Sequence, residues 1–186
     1  MRLKHLPRLE TDHLIVRLLE PSHAPKMLAF REENRDFLLP WEPARPPEFY
    51  TRGFWQLQLQ HNLNECREGK SVCFSLLDPE EVEVMGVCNF TNIVWGTFRA
   101  CHLGYAMAER HQGKGLMKEA LSASITYLFE ELRLHRIMAN YMPHNDRSGR
   151  LLASLGFQKE GYAEKFLSIN GRWEDHVLTA LVNPRD

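Results

Sequence analysis

Gln112-Gly113-Lys114-Gly115-Leu116-Met117 stands between a β-like run, Cys101 to Met107, and an amphipathic helical pattern that begins near Leu116. Glycines at such a junction let backbone N–H groups come close to a phosphate, and the first turn of the helix adds unpaired donors and a positive dipole end. The stretch reads as a cradle for a diphosphate; a plain strand-to-helix turn, with glycines for geometry alone, is the other reading open to it. It is not a Walker loop, because Lys114 is followed by Gly115 where Ser or Thr is needed. It is not a dinucleotide fingerprint either, since the third glycine would fall at Lys118 and no βαβ unit with a suitably placed acid accompanies it.

Upstream of the loop, Leu14 to Leu19 reads as the first strand, and Pro21-Ser22 starts a helix that ends near Asn34. From Phe37 to Pro47 the chain is aromatic and proline-rich, a composition that forbids regular helix and keeps the segment stiff. Glu48 to Lys70 returns to helical spacing. Ser71 to Leu77 and Val82 to Thr91 read as strands joined by a turn at Asp78-Pro79-Glu80-Glu81, and Ala100 to Met107 as a further strand.

Downstream, Leu116, Ala120, Leu121, Ile125 and Leu128 recur at helical spacing, so one face of that helix is expected to be buried. His135 to Tyr141 is a strand candidate, Pro143 to Asp146 a helix start, and Leu151, Leu152 and Leu155 the core stripe of a short helix ended by Gly156. Phe157 to Leu167 and Trp173 to Leu181 are expected to form a hairpin around Ile169-Asn170-Gly171, whose Asn-Gly step suits a tight turn. No repeat, low-complexity tract or linker interrupts the order. The pattern is a single mixed α/β layer fold over residues 1–186.

A chain of 186 residues buries about 70% of its unfolded surface in one core, without disulfides or metal. Its 23 basic and 24 acidic residues give a formal net charge of −1, which excludes a general attraction to nucleic acid or anionic membrane. Cys66, Cys73, Cys88 and Cys101 lack the paired spacing of a zinc site and read as buried thiols in a reducing compartment. The nine histidines form no metal-ligating motif, so no metal is expected. Met1-Arg2-Leu3-Lys4 lacks a signal peptide's apolar core and no span reaches membrane length, so a cytoplasmic location is expected.

The order of a hairpin, a strand feeding a glycine loop and long helix, a second strand, and Asn145 three residues before Ser148 resembles the GNAT superfamily of acyl-CoA-dependent N-acetyltransferases, over nearly the whole chain. The superfamily loop, Q/R-x-x-G-x-G/A, fits in two registers: Arg110 to Gly115 matches fully, and Gln112 to Met117 departs at its last position. The second is preferred, because it leaves the family-like gap after Tyr105-Ala106-Met107. More narrowly, Glu33 to Pro43, Leu103-Gly104-Tyr105, His135 to Asn145 and Asp175-His176-Val177-Leu178 resemble the ribosomal-protein-alanine N-acetyltransferase group.

That resemblance implies a GNAT-like fold, a mixed, mostly antiparallel sheet flanked by about four helices. It implies acetyl transfer from acetyl-CoA to the N-terminal α-amine of a ribosomal protein, with alanine as the acceptor residue. Tyr105, Ala106 and Met107 would be the splayed strand end that pairs with pantetheine. Gln112, Gly113, Lys114, Gly115, Leu116, Met117 and Lys118 would hold the cofactor phosphates, and Asn145 the pantetheine amide or the sulfur region. The family's general-acid tyrosine falls at Leu152 and its general-base glutamate at Asn140, and neither side chain can serve.

An α-amine with a pKa near 8 is already partly neutral at pH 7, so the chemistry demands orientation and oxyanion donors more than a strong base. A backbone N–H of the strand ending at Met107 is the candidate oxyanion donor. Ser148 is the candidate proton donor to the departing thiolate, although Asn145 and Ser148 are also residues that cap helices. His102 and Glu33 are the candidates to relay the amine's proton through water, with an ordinary core or surface role equally open to His102. Phe37, Trp41 and Phe54 are candidate walls of the acceptor cleft, and Glu33, Glu42 and Asp175 candidate partners for a cationic substrate.

Two other functions fit the residues. One keeps acetyl-CoA and takes a polyamine, an aminoglycoside or another small amine; the other is a ribosome-associated binding or assembly protein with a vestigial CoA site. The oligomeric state stays open.

Overall fold

A computed structural model describes residues 5–186. Met1 to Lys4, read above for targeting, lie outside the described residues. Strands β1 (Arg8–Glu10) and β2 (Ile15–Arg17) lead to helices α1 (Ala24–Glu33), α2 (Arg35–Leu38) and α3 (Arg52–Arg67). Then come β3 (Val72–Leu77), β4 (Val84–Val94), β5 (Ala100–Met107), helix α4 (Leu116–Glu130), β6 (Arg136–Tyr141), helix α5 (Asp146–Ser154), β7 (Gln158–Ile169) and β8 (Arg172–Val182).

All eight strands form one sheet in the order β1-β2-β3-β4-β5-β6-β8-β7. Every neighbouring pair is antiparallel except β5 with β6. That parallel step needs a crossover, and α4 supplies it.

Each face of the sheet carries a core. On one face α4 lays down Leu116, Ala120, Leu121, Ile125 and Leu128, all buried, against Phe74, Phe90, Cys101, Leu103 and Ile137. On the other, Met27 and Phe30 of α1 and Trp55 and Leu59 of α3 pack on Val84, Val87, Ala106 and Ala108. Full burial of a leucine or phenylalanine contributes about 1.5–3 kcal/mol before the entropy of ordering it. The helix stripe expected from spacing is therefore what fixes α4 across the sheet.

Three expectations are corrected. The strand read from Leu14 is the second one: β1 precedes it, and β2 holds three residues. The segment from Phe37 does contain helix, since α2 covers Arg35–Leu38 and a 3-10 turn covers Leu39–Trp41, with Pro40 inside that turn. Proline is tolerated there because the first turn has no partner for its missing N–H. Finally, α5 buries Leu152 alone, with Leu151 and Leu155 only partly covered. The closing hairpin forms as read, with Asn170 (φ 45°) and Gly171 (φ 79°) both left-handed, the backbone of a tight hairpin turn.

Candidate active site

The parallel ladder between β5 and β6 stops at His102 opposite Met138, yet β5 runs on to Met107 and β6 to Tyr141. Beyond that point the two strands splay. Ala108 N–H donates to the Met85 carbonyl at 2.8 Å, so by the alternation of an antiparallel ladder Leu103, Tyr105 and Met107 turn N–H and C=O away from β4. Those groups face the opening. A cleft of about 990 Å³ occupies it, at the upper end of small-molecule sites.

At one end of the cleft lies the glycine loop. Gly113 (φ 74°) and Gly115 (φ 80°) are both left-handed, and a Cβ added at either would meet nothing within 4 Å. Glu119 is the first residue of α4 whose N–H reaches back to the start of the helix, donating to Gly115 at 3.1 Å. The N–H groups of the preceding turn are left for a ligand, as at any helix start. The backbone of the loop thus fits a phosphate group, and both glycines hold the left-handed backbone that a residue with a side chain rarely adopts. Gln112 donates weakly to the Met107 carbonyl at 3.4 Å, tying the loop to the splayed strand end. Met117 is buried and packs into the α4 core, so its side chain is accommodated at the helix start.

At the centre, the Tyr105 hydroxyl lies 2.6 Å from Ser148 Oγ. Burial pushes the Tyr105 phenol up to about 12, against the lowering effect of the Ser148 hydrogen bond, so at neutral pH both hydroxyls are protonated. Asn145 Oδ1 accepts the Ser148 N–H at 3.1 Å and caps α5. Asn145 thereby fixes the first turn that presents Ser148, and both residues also line the cleft. The Tyr141 ring packs close to Gly149, where an added Cβ would lie 3.0 Å from it and the ring would have to shift.

The register brings His102 and Gly104 of β5, Met138 and Asn140 of β6 and His176 of β8 to one face of the sheet, and all five line the cleft. Phe37, Leu38, Trp41 and Glu42 cover this face, with Phe166 and Leu167 at its side. The covering segment is anchored. Buried Arg31 donates to Glu42 at 3.0 Å, Trp41 stacks near His144 with ring centroids 5.6 Å apart, and Asn170 N–H donates to the Glu42 carbonyl at 3.1 Å.

Tyr105, Ala106, Met107, Gln112, Gly113, Gly115, Leu116, Met117, Lys118, Asn145, Ser148 and His102 all border this one cleft. Lys114, exposed on the loop, does not. Glu33 does not either: it pairs with Arg110 at 2.8 Å, and Arg110 also binds Glu83. Phe54 is outside because its ring packs on Phe49 and Trp55 at 5.3 and 5.4 Å. Asp175 accepts from the Tyr162 hydroxyl at 2.6 Å and the Lys165 N–H at 2.8 Å, which holds the bulge of β7 instead of a substrate cation. Those two hydrogen bonds keep its carboxyl below the usual range.

Two side-chain placements carry no signal in the sequence. Tyr105 is a site residue there through its backbone alone, and its hydroxyl reaches Ser148 only through the fold. His176 stands in a motif without a role; its register on β8, which puts it on the face of Met138 and Asn140, is what turns it toward the cleft.

The family described as acetyltransferase (GNAT) domain matches residues 13–158. The [ribosomal protein uS5]-alanine N-acetyltransferase of Escherichia coli is 51% identical over 177 residues, covering 95% of this chain and 91% of its own length. The crystal structure of ribosomal-protein-S5-alanine acetyltransferase from Vibrio fischeri superposes with a TM-score of 0.92 at 39% identity, covering 96% of this chain and 97% of that one. Mycobacterium smegmatis RimJ in complex with CoA-disulfide superposes with a TM-score of 0.87 at 26% identity, covering 97% of this chain and 88% of that one.

Proposed function

The chain belongs to the acetyltransferase (GNAT) family, and from that premise we propose that it transfers acetyl from acetyl-CoA to the N-terminal α-amine of a ribosomal protein, with alanine as the acceptor residue. The observation that carries the proposal is the splay of β5 from β6 above the glycine loop. It offers an extended thioester arm a free strand edge, with a phosphate cradle at the far end and a covered acceptor face at the near one. The whole of 1–186 acts as one domain, in the cytoplasm.

Attack by the neutral amine on the thioester carbonyl places negative charge on its oxygen, and a cleft-facing N–H of β5 is positioned to receive it. As the tetrahedral species collapses, the C–S bond breaks and the thiolate takes a proton from Ser148 Oγ. Tyr105, protonated and bonded to Ser148, passes its own proton to Ser148 Oγ and is reprotonated from solvent. The role of the tyrosine missing at Leu152 is thus filled from β5.

The cleft favours a peptide over a polycation. Its bordering carboxylates among the described residues are Glu42 and Asp146, and Glu42 is already held by Arg31 and Arg45. Lys118, Arg147 and Arg150 border it too. No described helix is long and apolar enough to cross a membrane.

Thiol release from acetyl-CoA tests the assignment, with alanine-initiated ribosomal-protein peptides set against spermidine and an aminoglycoside. The peptide is expected to have the higher kcat/KM by about 100-fold, or ~3 kcal/mol of transition-state binding. Preference for either small amine would replace this acceptor assignment, and CoA binding without release for any amine would support a binding protein.

A further inference from the structure

His176 lies on the acceptor face of the cleft and is 4% exposed. Its Nδ1 is 3.0 Å from the Glu174 carbonyl. A carbonyl only accepts, so Nδ1 carries a proton, and in the neutral ring Nε2 carries the lone pair. Nε2 has no hydrogen-bond partner among the described residues, and the ring of Phe166, in the β7 bulge, lies 5.7 Å from the imidazole. The chain thus holds one imidazole in a single tautomer beside the place where an amine must arrive.

His102 shares the same face, but it is exposed and no hydrogen bond among the described residues sets its tautomer. Glu33 is turned away toward Arg110. Asn140, at the position where the family carries glutamate, accepts the Thr179 N–H at 3.4 Å and has no basic atom.

We propose that His176 is the general base of the transfer, taking the proton of the attacking amine at Nε2, directly or through one water. The inference rests on the acetyl-transfer reading above. In the step, the amine nitrogen forms a bond to the thioester carbon and loses a proton to His176 Nε2. The C–S bond breaks, and the sulfur receives a proton from Ser148. His176 then returns its proton to solvent, and Ser148 regains one from solvent through the Tyr105 hydroxyl, before the next turnover.

The test uses three full-length variants: His176→Phe, which keeps a ring in the buried position, His176→Gln, and His176→Ala. Calorimetric CoA binding equal to that of the unaltered chain certifies the fold of each. His176→Phe and His176→Gln are expected to lose about 100-fold or more in kcat. Imidazole in solution is expected to restore His176→Ala at least about tenfold, while triazole, a ring of similar size and far weaker basicity, restores nothing.

A kcat for folded His176→Phe or His176→Gln within about threefold of the unaltered chain would overturn the proposal. Equal rescue by triazole and imidazole would also overturn it, by assigning the ring a packing role. The assay runs on whichever primary amine the unaltered chain acetylates, so a wrong acceptor is seen in the unaltered chain and leaves the test of His176 intact. Absence of turnover with every amine would overturn both readings.

Discussion

The hydroxyl of Tyr105 meets Ser148 Oγ at 2.6 Å, joining the splayed end of β5 to the first turn of α5. One is set by strand register and the other by the Asn145 cap, so their meeting depends on both elements. Ser148→Ala removes the proton donor and leaves the Tyr105 oxygen short of a partner. We expect kcat to fall by about 10²-fold and stability by about 1–2 kcal/mol. Tyr105→Phe should lower kcat less, because Ser148 keeps its own proton. The double variant measures the coupling: additive effects on kcat would show that the two hydroxyls do not act as one unit.

Gly115→Val tests the cradle. A β-branched residue at φ 80° costs ~1–3 kcal/mol of local strain and also projects into the space a phosphate would enter. Calorimetry is expected to show acetyl-CoA affinity reduced by about tenfold or more, with helical circular dichroism retained. Unchanged affinity in the folded variant would remove the loop from CoA binding.

Gly104→Val tests the acceptor face. Gly104 needs no left-handed backbone, and a Cβ there would meet nothing within 4 Å, on the side of the strand that carries His102. The expected result is a higher KM for the peptide with unchanged CoA affinity and thermal midpoint. A change in CoA affinity alone would move Gly104 to the cofactor side.

How much of this was legible in the sequence follows from how local each signal is. β5 and the start of α4 could be read because apolar alternation, two glycines and an i, i+4 stripe all lie within about 30 residues of each other. β1 was missed because three residues with two exposed side chains carry no pattern. The 3-10 turn after α2 is hidden by Pro40, which sits where a helical turn accepts it. Glu33 enters the aromatic segment in sequence, but its direction is set by Arg110, 77 positions away. Tyr105 and His176 depended on register and on a bulge, properties that the composition of one strand does not contain.

Glu42→Ala tests the anchor of the acceptor wall. Arg31 is 7% exposed and packs its guanidinium among Phe30, Phe49 and Trp55 at 5.1–5.6 Å. Losing Glu42 leaves that charge buried without its partner, a change that costs roughly 3–5 kcal/mol in such pairs. We expect the lower end, since Glu42 keeps 21% of its side chain in water. Urea unfolding measures it, and a cost under about 1 kcal/mol would show the pair to behave as a surface one.

Alkaline pH should destabilise the fold. Burial raises Cys66 and Cys73 from 9.0 to about 11, and Cys88 and Cys101 to about 12. It also raises Tyr105 and Tyr127 from 10.0 to about 12. Between the unfolded and folded values only the unfolded chain loses these protons, so their contribution is full below about pH 9 and declines as pH rises toward 12. Urea midpoints should fall steadily over that window under reducing conditions. A flat profile would mean that these groups ionise without cost in the folded protein.

The most direct measurement is where the acetyl group goes. An alanine-initiated ribosomal-protein peptide that also contains a lysine is incubated with acetyl-CoA and the full-length chain, and fragmentation mass spectrometry locates the added group. The account predicts one acetyl on the alanine α-nitrogen and none when that amine is blocked in advance. Acetyl on the lysine side chain, or continued acetylation of the blocked peptide, would contradict it.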